Sequence, residues 1–150
     1  MKRIKYAVSA ALLLMTTQVQ TAAAEDTREL VKFPPMMVEE TLISMRDHLL
    51  ALNEIMAALS VGNADKAADI AENRLGMSAM DDHGAAMKAK FMPEGMQAGG
   101  IQMHHAASRF AIAVKNAELA PSDEAQQEIF KALEGVTDGC IACHEGYRLR

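Results

Sequence analysis

The chain has 150 residues, with 15 Lys and Arg against 20 Asp and Glu and a formal net charge of −5. That length suits one domain with a single core, and the acidic balance argues against nucleic acid as a partner, since binding there depends on neutralising phosphates with Lys and Arg. Trp is absent, only 4% of residues are aromatic, Met numbers 12, and no strand-like alternation is present, so the composition is that of helices.

Residues 1–24 read as a secretory signal. Lys2, Arg3 and Lys5 make a charged start, Tyr6 to Met15 an apolar run, and Ala22-Ala23-Ala24 before Glu25 a small-residue cleavage site. The run is short for a bilayer span, and no Cys follows it for lipid attachment. The expectation is therefore export to a bacterial periplasm and cleavage near Ala24, against the alternative of an uncleaved anchor. Residues 25–150 remain as the domain. Loss of three basic residues that no acid offsets takes the formal charge from −5 to −8. Such a charge keeps a protein soluble and also suits a basic docking surface on a partner.

Four helices are predicted over residues 25–150. The first opens at Pro34-Pro35, where Pro is tolerated, and closes at Gly62-Asn63. Val38, Leu42, Met45, Leu49, Leu52, Met56 and Leu59 alternate spacings of four and three, an a/d seam. The second runs from Ala64 to Leu75, with Gly76 as its stop. Residues 77–95 are ambiguous, partly helical and broken at Phe91-Met92-Pro93-Glu94-Gly95. The third places Met96, Gly99, Met103, Ala106, Phe110, Ala113 and Ala117 on one stripe. Pro121-Ser122-Asp123-Glu124 starts the fourth, with acids where the helix dipole favours them, and its stripe is Ile129, Leu133, Val136, Cys140, Cys143 and Tyr147. The fold expected is all-α, an antiparallel four-helix bundle of up-down-up-down order.

The last stripe contains Cys140-Ile141-Ala142-Cys143-His144, the c-type haem attachment pattern. Each thiol adds to one haem vinyl group, and the adjacent His144 is placed to become the proximal iron ligand. Other uses of C-x-x-C are weaker. A thioredoxin-like dithiol belongs near a βαβ pattern, a zinc site lacks its second half, and a disulfide spanning three residues constrains little chain. With both cysteines on the inward stripe, one covalent haem c is expected in the core. No nucleophile–base pair or carboxylate dyad stands out, which favours a carrier over an enzyme.

Four helices with C-x-x-C-H near the C-terminus resemble the class II cytochromes c, the cytochrome c′ family. The likeness extends through Cys140-Ile141-Ala142-Cys143-His144-Glu145-Gly146-Tyr147-Arg148 and follows the helix order across residues 25–150. Only the terminal motif is specific, and residues 77–96 depart from the family in their Met and His content. The resemblance implies thioethers at Cys140 and Cys143, an axial bond from His144, Arg148 near a haem propionate or beside the ring, and Tyr147 packed in the core. It also implies a sixth iron position faced by the first helix. A Met there makes a low-spin electron carrier serving periplasmic redox partner proteins, whereas an apolar residue leaves iron open to nitric oxide or carbon monoxide. Met45 is the leading candidate, with Leu42 and Met37 as alternatives at that site. Met45 also has the simpler reading of seam packing, and Arg148 that of a cation at a helix end. Family members often pair through their first two helices, so a homodimer is a further expectation.

The Met and His excess stands apart. Met77, Met80, His83 and Met87 share a helical face if that region is helical, and Met92, Met96, Met103, His104 and His105 follow. Thioether and imidazole donors suit Cu(I), so a copper-handling accessory role is a third reading. Adaptable packing is the stronger one. His104 and His105 are adjacent and point to different faces.

Overall fold

The computed structural model describes residues 25–150; the signal expected over residues 1–24 lies outside the described residues. The described chain is mostly helical, with almost no sheet. α1 spans Pro35–Ser60 and has Pro at its first position. It stops where Gly62 takes φ 72°, a left-handed conformation that glycine reaches without strain. Asn63 caps α2, Ala64–Ile70, its side chain accepting from Lys66 N–H at 3.1 Å. α2 widens into a π-helical turn, Ala71–Leu75, which ends at Gly76. The predicted second helix is thus right in extent and different in its last turn.

The ambiguous stretch resolves into short pieces. A 3-10 turn covers Met77–Ala79, α3 covers Ala85–Lys88, and a second 3-10 turn covers Ala89–Phe91. Between them a tight turn carries His83. His83 N–H donates to the Ala79 carbonyl, Gly84 N–H donates to the Asp81 carbonyl, and Gly84 is left-handed at φ 63°. α4 spans Glu94–Leu119 after Pro93. α5 spans Asp123–Gly146, capped by Ser122 Oγ accepting from Ala125 N–H.

One feature was not expected from the sequence. β1, Glu29–Leu30, pairs in parallel with β2, Tyr147–Arg148, and Val31 N–H adds a hydrogen bond to the Arg148 carbonyl at 2.9 Å. Two residues per strand leave no period to read. This ribbon ties the start of the described chain to the residues just after Cys140–His144.

The main core joins α1, α2, the π turn, α4 and α5, with Phe110, Ile55 and Val114 its largest fully buried side chains. The α4 stripe holds through Phe110 and then turns from Ala113 to Val114; the α5 stripe packs as expected. The α1 seam is displaced by one residue. The buried positions are Met37, Thr41, Ala51, Ile55 and Ala58, while Leu49 and Met56 are 70% and 49% exposed. Small Ala51 and Ala58 let α2 and the π turn approach, so the helix turns its narrow face inward. The bulkier Leu49, Leu50 and Met56 border a shallow surface depression with Arg46 and Asn53.

α4 and α5 pack against each other along much of their length, whereas among the described residues α1 packs on α2 and the π turn and meets α4 and α5 only sparsely. The α4–α5 approach is closest at Gly139, where an added Cβ would fall 2.7 Å from Met103 Cβ and 2.9 Å from its Cα. Gly139→Ala should therefore cost about 1–3 kcal/mol, as overpacking does. Gly135→Ala would meet only Ala106 Cβ at an ordinary 3.8 Å and should gain about 0.5–1 kcal/mol from helix propensity. Urea midpoints of the two variants measure the contrast; equal midpoints would contradict the close approach.

Candidate functional site

Cys140 and Cys143 lie one turn apart on α5 and are free, half-buried thiols. Cys140 packs against the main core. Cys143 packs against a second apolar cluster made by Val31, Phe33, Met37 and Met96, bordered by Val38, Met92, Tyr147 and Leu149. Burial pushes both thiols above their ordinary pKa. They are therefore kept protonated, unlike the low-pKa thiolates of redox dithiols. His144 follows on the exposed side of α5, and its carbonyl accepts from Arg28 Nη1 at 3.3 Å.

Of the residues proposed to face iron from α1, Met37 is buried and shares the cluster with Cys143. Met45 and Leu42 are half-buried, and among the described residues neither belongs to either apolar cluster. One turn beyond Met37, Thr41 is buried, and its Oγ1 has no hydrogen-bond partner. A helical Thr can satisfy itself on a carbonyl of the preceding turn; this one does not. The Arg148 guanidinium donates to the Arg28 carbonyl at 3.3 Å and lies 3.7 Å from Asp26. Arg28 in turn holds Asp26, whose carboxyl is pulled down to about 2. Tyr147 lies where α4 begins, its hydroxyl against Gly95.

A second grouping was missed because its members come from three elements. His48 of α1, His83 of the turn and His104 of α4 bring their imidazoles together, with ring centres 4.8 Å (His48–His83), 5.6 Å (His83–His104) and 6.2 Å (His48–His104) apart. His48 Nε2 and His83 Nδ1 are 3.5 Å apart. The buried His104 sets Nδ1 against the Leu75 carbonyl at 2.7 Å and the Gly76 carbonyl at 3.1 Å. Carbonyls only accept, so Nδ1 carries the hydrogen and Nε2 is the free nitrogen. Burial, then the neighbouring imidazoles, push His48 down to about 4, and burial first lowers His83 too. Of the Met and His set singled out in the sequence, Met77, Met87 and His105 are exposed, and only His83 and His104 converge. The signal that could have found His48 is its place on the displaced α1 stripe, between Thr41 and Ala51.

Beside this cluster Arg74, from the π turn, pairs with Asp47 and Glu54 of α1 at 2.5 Å each. Its hydrogen bond holds Asp47 below the ordinary carboxylate range.

Comparison with known proteins finds no matching family model, no matching curated protein and no matching solved structure. Among the described residues no helix is long and apolar enough to cross a membrane.

Arg74→Gln should cost about 1 kcal/mol at neutral pH, the scale of a half-exposed ion-pair network. Asp47 has a lowered folded pKa, so its share of that stability is present above the ordinary carboxylate pKa and fades as pH falls below it. Denaturant titrations of both proteins at pH 7 and pH 3 check this; a gap that does not narrow in acid would contradict it.

Proposed function

We propose that this chain is an exported class II-like cytochrome c, an antiparallel four-helix bundle carrying one covalent haem and passing one electron at a time between periplasmic partners. The observation that carries the reading is the pair of free thiols one turn apart on α5, each seated in an apolar cluster and followed directly by His144. Three further features fit the group. Two thiols to take up the haem vinyl groups, with an imidazole and a neighbouring thioether to ligate the iron, are the groups a c-type haem uses. Thr41 Oγ1 is an orphaned buried polar atom on the helix expected to face iron. α1 meets α5 only sparsely, which suits a helix pair that shares a flat group rather than a side-chain seam.

In this reading Cys140 and Cys143 fix one edge of the ring and His144 supplies the proximal nitrogen. Met37 is the better-supported sixth ligand, because it packs in the cluster that holds Cys143; Met45 and Leu42 remain the alternatives at that position. Val31, Phe33 and Met96 keep water from that end. A haem held there supplies the one-electron chemistry, and the chain's part is ligation and burial. The raised thiol pKa values argue against a redox dithiol as the working group. A second copy docking on the exposed Leu49, Leu50 and Met56 face is the homodimer this reading accommodates.

The test is the optical spectrum of the protein produced by export in a host that matures c-type cytochromes. The expected result is covalently retained haem, a sharp low-spin reduced spectrum, a near-infrared methionine–iron band in the ferric form and no response to carbon monoxide. Met37→Ala should abolish that band and admit carbon monoxide, while Met45→Ala should not. The reverse pattern would move the sixth ligand to Met45. Carbon monoxide binding by the unaltered protein would put an apolar residue such as Leu42 opposite the iron and replace electron transfer with gas binding. Absence of covalent haem would sink the reading.

A further inference from the structure

We propose that His48, His83 and His104 form a binding site for a late first-row transition-metal ion, Zn2+ or copper, separate from the residues assigned to haem. Imidazole is a donor for both metals. Two nitrogens on one tetrahedral ion, each about 2.0–2.1 Å from it, stand about 3.3–3.4 Å apart. His48 Nε2 and His83 Nδ1 are separated by 3.5 Å. Three imidazoles on such an ion have ring centres about 5 Å apart, against the observed 4.8, 5.6 and 6.2 Å.

Among the described residues no three His, Cys, Asp or Glu side chains are already arranged to hold an ion. The first spacing already matches the tetrahedral value, and the other two exceed it, the larger by about 1 Å. His83, whose turn is flanked by the exposed Asp81, Asp82 and Gly84, can adjust its own two spacings, while the 6.2 Å between His48 and the anchored His104 has to close by movement of the His48 ring. His104 is pre-oriented. Its Nδ1–H is anchored on the Leu75 and Gly76 carbonyls, the outer-shell hydrogen bond that fixes tautomer and ring plane in metal-bound histidines. The π turn is what brings those carbonyls to α4.

The charges around the cluster are mixed. Lys88, half-buried, opposes a cation; Asp47 and Asp82 favour one, although Asp47 is shared with Arg74. Burial of His48 and His83 favours their neutral rings, each with one nitrogen lone pair free, the form that binds metal.

The experiment is calorimetric titration of the exported, haem-loaded protein with Zn2+ alone at pH 7.5. One equivalent should bind with micromolar affinity or tighter, with the haem absorption spectrum unchanged. His83→Ala, on an exposed turn that leaves the helices intact, should weaken binding by roughly tenfold or more. His105→Ala, one residue from His104 but on the exposed side of α4, should bind as the unaltered protein does. Should helicity fall in the His83→Ala variant, nitrogen hyperfine splitting from Cu2+ in the unaltered protein decides instead, with a three-imidazole pattern expected. No Zn2+ binding, loss of binding on His105→Ala, undiminished binding by a well-folded His83→Ala variant, or a Cu2+ signal without imidazole nitrogens would each overturn the proposal. A spectral change at the haem would also overturn it, by making the iron pocket the Zn2+ site. Protein that leaves a host competent in c-type maturation without covalent haem, yet binds one Zn2+ through His83, would retire the cytochrome reading and leave this one standing.

Discussion

The contact on which the rest of the structure depends is the close approach of α4 and α5. Gly139 makes it possible by leaving Met103 room for its own backbone and Cβ, and the small Ala106 and Gly135 continue the approach along the pair. Two long helices held this near behave as one rigid slab. The slab fixes Cys140 beside Gly139 and hence fixes Cys143 and His144 one turn on. It also fixes His104, one residue after Met103, pointing away from α5 towards the π turn. Both groupings with chemical potential are therefore built on the same rigid pair, facing different neighbours.

α1 is the opposite case. Its C-terminal half is anchored by Ala51, Ile55 and Ala58, while its N-terminal half brings Met37 to the second cluster and leaves the Thr41 hydroxyl unsatisfied. A buried hydroxyl without a partner costs about 1–3 kcal/mol. It is retained more readily where the neighbourhood serves something other than packing. Thr41 lies between Met37 and Met45, where the family resemblance expects iron to be met.

The long helices and their ends were legible because Pro34-Pro35, Gly62-Asn63, Gly76, Pro93 and Ser122 each have a local reason to start or stop a helix. The one-turn separation of Cys140 and Cys143 on α5 was legible for the same reason, since helical spacing is local. What failed was the choice between two adjacent stripes on α1. The hydrophobic pattern preferred Leu49 and Met56 over Ala51, Ile55 and Ala58, because a count of apolar residues does not see that small side chains win where helices come close. The histidine cluster was hidden by origin: one member in α1, one in an irregular turn and one in α4 share no period. The ribbon was hidden by its length.

That ribbon has a consequence for the order of events in the cell. Any chain made from its N-terminus presents Glu29 and Leu30 early and Tyr147 and Arg148 last, so their pairing is a late closure of the fold. Val31 and Phe33 come down over Cys143 only when that closure occurs. Until then Cys143 lacks that cover, whereas Cys140 packs against the main core. The fold thereby ties the covering of Cys143 to the moment when the two ends of the chain meet.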